Sequence, residues 1–291
     1  TQDIRPKLLL LGNEIMATLT SPVDNRDRQS FLQHTQTEGL PEALQNQLFD
    51  ELRNLSTFGK DLQRILAAGV LRVGTTLDYP PFSSGTLDQP GGIDITLAKR
   101  LGDSLGVPVQ FVQTSWPTLT QDFTARAFDL ALSGVSITPS RTALGAFSAP
   151  YHIGGKTPIG RCLDQDRFKD FLTIDQPETR AVFNPGGTNE RFARQHLQHA
   201  QFIIFPDNRY IFQELMAGRA DVMFTDEIEV ALKTQQHRPL CALMPGQRLT
   251  YQEKAIWLHK DDALKQYIDD WLQTIIADGS LKTLFDDALG R

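Results

Sequence analysis

The sequence predicts an α/β protein of two lobes, preceded by an all-α helical segment. Three observations carry this. From Leu71 onward, short apolar runs alternate with longer stretches whose apolar residues recur at helical spacing. Such strand–helix–strand alternation builds a mainly parallel sheet with helices on its faces. The pattern pauses after the strand-like run at 129–133 and restarts at Thr179, which gives two lobes in sequence. Residues 1–60 show helical periodicity and no strand signal.

In the leading segment, Leu8, Leu11, Ile15 and Leu19 recur at helical spacing over 4–19, and Ser21-Pro22 stops that helix. Residues 26–34 and 41–55 read as two more helices. Pro41 suits a first helical position, and Leu44, Leu48, Leu52 and Leu55 form a stripe. Three short helices bury little surface alone, so 1–60 is expected to be part of a larger helical unit. The first lobe is assigned 61–158 and 250–291, with strands at 71–76, 107–113 and 129–133 and helices at 93–105 and 119–127. The second lobe is assigned 159–249, with strands at 179–183, 202–205 and 221–225 and helices at 189–197 and 209–217. One strand at 253–258 follows, then amphipathic helices at 263–278 and 280–289. These last helices bring no sheet of their own and are expected to return to the first lobe.

The 291 residues are 40% hydrophobic and 22% charged, an ordinary soluble composition. The net charge of −6 argues against nucleic acid, because reading a phosphate backbone needs a basic face. No apolar run approaches the roughly 18 residues of a membrane span, so no membrane partner is expected. Cys162 and Cys241 have no metal-ligand spacing and admit two readings, a pair of buried thiols or one disulfide. His152 and His259 lack the spacing of a metal site or triad and read as structural. Neither a metal nor another cofactor is expected.

The stretches richest in chemistry are Asn184-Pro185-Gly186-Gly187-Thr188-Asn189-Glu190 and Thr225-Asp226-Glu227-Ile228-Glu229. The first is a Gly-rich turn between a strand and a helix, where backbone N–H groups collect an anion. The second places three carboxylates at a strand end. Asp226 and Glu229 lie one helical turn apart and are expected to face one cleft, while Glu227 reads as a solvated helix start. Arg141 follows a strand and the turn Ser133-Gly134-Val135-Ser136, where a guanidinium can grip a carboxylate in two places.

These residues resemble a known family. Leu71-Arg72-Val73-Gly74-Thr75-Thr76, Asp78-Tyr79-Pro80-Pro81-Phe82, Gly92-Ile93-Asp94-Ile95 and Ser133 to Arg141 look like the type 2 periplasmic-binding-protein fold, two α/β lobes with a hinge. The resemblance covers about 65–291. Within it, Thr114-Ser115-Trp116-Pro117, Gly155-Lys156-Thr157-Pro158-Ile159, Asn184 to Glu190 and Thr225 to Glu229 resemble the exported cyclohexadienyl dehydratases. Those enzymes convert prephenate to phenylpyruvate or arogenate to phenylalanine. The resemblance implies export to the periplasm, which favours the disulfide reading of the two cysteines. More weakly, Asp3-Ile4-Arg5 and Leu11-Gly12-Asn13 resemble the C-terminal third of secreted chorismate mutases, which implies a site role for Arg5 and possible homodimerisation through 1–60.

The resemblance places Arg141, with the Ser133 and Ser136 turn, on one substrate carboxylate, and Thr188 with the Gly187 amides on the same anion from the second lobe. Asp226 matches the group that holds a ligand's ammonium in binding proteins. Trp116 is expected to wall the ring, and Asp78 joins the candidate substrate-binding residues. Asn184 and Lys156 are expected at the ring end as catalytic residues, with Glu229 as general acid. The reading is a lyase, a prephenate/arogenate dehydratase, alone or fused to a chorismate mutase. The rival is an amino-acid solute-binding protein of a transporter, which shares Arg141, Thr188 and Asp226 but has no use for Trp116, Lys156, Asn184 and Glu229.

Overall fold

Two five-stranded sheets, one per lobe, frame the computed structural model, which describes residues 59–291. The helices expected at 4–19, 26–34 and 41–55, and Arg5, lie outside the described residues. The first sheet runs, in spatial order, Val109–Gln113, Leu71–Thr75, Leu130–Ala131, Trp257–Leu258 and Ala146–Phe147. Its first three strands are parallel, and Trp257–Leu258 lies antiparallel to both neighbours. The second runs Gln201–Ile204, Arg180–Phe183, Val222–Asp226, Lys156–Arg161 and Leu240–Ala242, with Lys156–Arg161 antiparallel to both neighbours. Both sheets are therefore mixed, where the alternation alone predicted mainly parallel ones.

Helix Ile93–Leu105 buries Ile93, Leu97, Leu101 and Leu105 in the first core and stops at Gly106, whose positive φ lets its N–H reach the Asp103 carbonyl. The C-terminal helices Asp262–Ala277 and Ser280–Leu289 return to this lobe, as their pattern implied. Leu264, Ile268, Leu272 and Ile275 make a buried stripe in the same core. Each such side chain contributes about 1.5–3 kcal/mol through burial.

Three elements carried too little signal to be predicted. Helix Lys60–Ala68 packs on Asp262–Ala277. Helix Pro139–Leu144 is only six residues long. Strand Lys156–Arg161 contains Pro158 and Gly160, both poor strand formers, yet sits inside the second sheet. The expected strand at 253–258 is two strands. Gln252–Lys254 pairs with His152–Gly154 between the lobes, and Trp257–Leu258 belongs to the first sheet. This two-stranded ribbon makes the hinge, and the second sheet starts at Lys156, ahead of the expected 159.

Cys162 and Cys241 form a disulfide across a sequence separation of 79, which removes the free-thiol reading. It ties the ends of the adjacent strands Lys156–Arg161 and Leu240–Ala242, where Leu240 pairs with Arg161.

Candidate active site

A cleft of about 310 Å³ lies between the lobes. From the first lobe it is lined by Tyr79, Trp116, Gly134, Ser136 and Arg141. The second lobe supplies Lys156, Asn184, Gly187, Thr188, Asn189, Asn208 and Asp226, and the hinge supplies Lys254. The lobes touch around it. The Asn208 side-chain amide donates to the Asp78 carbonyl at 2.9 Å, and the Tyr79 hydroxyl donates to Asp226. Gly186 has a φ of 81° and abuts Pro117, so that an added Cβ would stand 2.6 Å from the Pro117 Cα.

Local sequence explains how each group is presented. Thr138 caps helix Pro139–Leu144 and Pro139 opens it, which fixes Arg141 in the first turn. Arg141 is buried, donates to the Ser136 carbonyl at 3.0 Å, and has no carboxylate within ion-pair distance among the described residues. Burial, then the charge of Arg191, lowers its pKa to about 10, so it stays cationic. A buried guanidinium without a counter-ion is a demand for an anion. Gly187, Thr188 and Asn189 stand at the start of helix Thr188–His196, whose first-turn N–H groups have no partner inside the helix. The Gly186 amide is already taken, by Glu190 at 2.7 Å.

Lys156, Lys254 and Asp226 are buried together. Lys156 Nζ lies 2.7 Å from Asp226 Oδ1, and Lys254 Nζ lies 2.5 Å from Oδ2. Burial pushes the Asp226 carboxyl up, but the two lysines outweigh it and hold the group well below the usual carboxylate range. Burial lowers Lys156 to about 8, against the pull of Asp226. The lining thus carries three cations, Arg141, Lys156 and Lys254, against the single carboxylate Asp226.

Glu229 stands behind this wall rather than in it. It is fully buried in the first turn of helix Glu227–Gln236, and Thr225 Oγ1 donates to its Oε2 at 2.5 Å. Oε1 has no partner. A chain of hydrogen bonds joins it to the cleft. Lys156 Nζ donates to Asn189 Oδ1 at 2.5 Å, and Asn189 Nδ2 donates to Thr225 Oγ1 at 3.2 Å. An ammonium can only donate, so its charge sets the direction of the whole chain. Burial raises the Glu229 pKa to about 7, with the Thr225 bond and Lys233 pulling it back and Asp226 pushing it up.

The structure brings Arg141, Ser136, Trp116, Thr188, Gly187, Asn184, Lys156 and Asp226 to one cleft. It keeps three expected residues out of the lining. Ser133 is spent on Thr76 and Ser83, Asp78 accepts from Trp116 Nε1 at 3.1 Å, and Glu229 lies one layer back. Asp226 is not solvated, nor is it open to a ligand, because both oxygens are engaged. Glu227 pairs with Arg248 at the surface. No cluster of metal-ligating residues occurs among the described residues. Tyr79, Asn189, Asn208 and Lys254 were not predicted. Tyr79 and Asn189 sit inside motifs that were singled out. Lys254 follows a glutamate on a short strand and reads in sequence as an ordinary surface lysine.

The model of the bacterial extracellular solute-binding proteins, family 3, matches residues 71–291. A cyclohexadienyl dehydratase of Pseudomonas aeruginosa is 47% identical over 223 residues, covering 76% of this chain and 83% of that protein. The chain belongs to the family 3 extracellular solute-binding proteins, with a cyclohexadienyl dehydratase among its relatives. The L-cystine-binding protein TcyJ of Escherichia coli K12, also similar, is 27% identical over 79% of this chain and 86% of its own length. Among solved structures, an ancestral amino acid-binding protein described as a precursor of cyclohexadienyl dehydratase matches with a TM-score of 0.73. Its identity is 33%, over 78% of this chain and 99% of that one. An ancestral cyclohexadienyl dehydratase is 43% identical, with a TM-score of 0.50, over 80% of this chain and 97% of that one. The family thus contains both binders and enzymes, and the site must decide between them.

Proposed function

We propose that the chain is a cyclohexadienyl dehydratase, a carbon–oxygen lyase acting on prephenate, arogenate or both. The observation that carries the reading is the pairing of a cationic cleft with a protonatable carboxyl. Three buried cations face one carboxylate, and Glu229 behind them has a pKa near neutrality. Two net positive charges match a dicarboxylate. The likeness to the Pseudomonas enzyme supports the same reading.

Arg141 and the Thr188 turn hold one carboxylate of the substrate, with Trp116 beside the ring. Lys156 and Asn184 orient the end that carries the second carboxylate and the hydroxyl. The ring carboxylate leaves as CO2, its electron pair completes the aromatic ring, and the hydroxyl leaves from the opposite carbon. One proton turns the departing hydroxide into water. Glu229 is the donor, because Asp226 beside two lysines stays ionised. The proton reaches the cleft on closure, when the Thr225–Asn189–Lys156 chain rearranges around the substrate.

The reading includes export to the periplasm, in keeping with the disulfide and the family. Residues 1–60 are read as part of a chorismate mutase, which makes prephenate, and as a homodimer contact. The test is to add prephenate to purified protein and follow phenylpyruvate. Turnover is expected without added metal and undiminished by EDTA. Tight amino-acid binding with no turnover of prephenate or arogenate would move the chain to the transport class.

A further inference from the structure

We propose that Lys254 is the specificity device of this cleft: its ammonium fills, from within the chain, the slot a substrate ammonium would need, so the site takes a 2-oxo dicarboxylate and rejects its 2-amino counterpart. The proposal rests on the dehydratase reading for its substrates, prephenate and arogenate.

The slot has the chemistry of a cation site. Lys254 Nζ lies 2.5 Å from Asp226 Oδ2 and 2.9 Å from Ser136 Oγ. It also sits 5.3 Å from the Tyr79 ring centre and 5.8 Å from that of Phe82. A carboxylate, a hydroxyl and two aromatic faces together hold an ammonium well. Lys254 itself is buried, so its charge cannot swing out to solvent while a ligand takes its place. The remaining carboxylate oxygen, Asp226 Oδ1, is held by Lys156 at 2.7 Å.

Asp226 is the one acid among the residues lining the cleft. A ligand amino group would meet three cations and no open carboxylate. Like charges brought together without water are a strong device against the wrong ligand. A keto oxygen in the same position carries no charge and accepts hydrogen bonds, which suits a wall of cationic donors.

The test compares kcat/KM for prephenate and L-arogenate, and binding of phenylpyruvate and L-phenylalanine by calorimetry. Wild type is expected to favour prephenate by about 10-fold or more and to bind phenylpyruvate but not L-phenylalanine. Lys254→Met removes the charge at similar length and frees Asp226 Oδ2. It should lower the prephenate preference by about 10-fold or more and allow L-phenylalanine to bind. Lys254→Arg keeps a cation in the slot and should keep the exclusion of L-phenylalanine. Equal use of both substrates by wild type, or L-phenylalanine binding to wild type, overturns the proposal, as does a folded Lys254→Met that still excludes L-phenylalanine. Loss of turnover with both substrates in wild type overturns the dehydratase reading instead, and the calorimetry still decides the slot.

Discussion

Glu229 and Asp226 are three residues apart and chemically opposite. Both are buried, but Asp226 has two lysines and stays ionised, whereas Glu229 has a threonine hydroxyl and titrates near neutrality. Glu229→Gln should therefore lower kcat by roughly 10²-fold or more with substrate still bound. Unchanged kcat would reject Glu229 as the acid. Its raised pKa also sets a pH profile. The acid form is active, so kcat should be flat below about 7 and fall tenfold per unit above it. Lys156 begins to lose its charge near 8, so KM should rise in addition beyond that pH. Thr225→Val removes a bond that stabilises the ionised glutamate, so the kcat limb should move to higher pH, and Thr225→Ser should restore it. A Thr225→Val enzyme with an unmoved limb would show that the hydroxyl only packs. Arg141→Ala should act mainly on KM, because it removes a carboxylate clamp present throughout the reaction.

Elements were legible where one physical signal dominated. The strands at 71–75 and 222–226, and the helix at 93–105, have uninterrupted apolar patterns, and the sequence reading located all three. Lys156–Arg161 was missed because Pro158 and Gly160 oppose strand propensity, and tertiary pairing on both sides overrides them. The split of 253–258 into two strands has no local signature, since it depends on which sheet each half meets. The cleft was legible at Arg141, Thr188 and Lys156, which sit in motifs. Lys254 was not, because burial of a lysine is decided by the partners the fold delivers. Gly186 offers a test at this scale. Gly186→Ala puts a Cβ against Pro117 and strains a φ of 81°, so kcat/KM should fall by about 10-fold or more through impaired closure. Wild-type kinetics in that variant would mean that the turn yields freely.

The whole molecule is two lobes on a hinge ribbon, and every residue assigned to the reaction lies beyond Leu71. Removing residues 1–58 should therefore leave dehydration intact. A truncated chain that stays folded by circular dichroism but loses turnover would contradict the division. The disulfide should stabilise the second lobe on the order of 4 kcal/mol through the loop it closes. Reduction should accordingly lower the urea midpoint, and thiol titration of the denatured, unreduced chain should find no free cysteine.

The same bond changes what a protease can accomplish. With Cys162 joined to Cys241, the second lobe is nearly a closed ring, entered and left at one place. A single cut in any exposed loop between these two residues, such as the one carrying Leu172, opens the ring but separates nothing. On a gel without reductant the nicked chain should travel as one species, and with reductant as two. A cut outside the ring releases its fragment either way, so a paired digest sorts every accessible site into one lobe or the other without a structure.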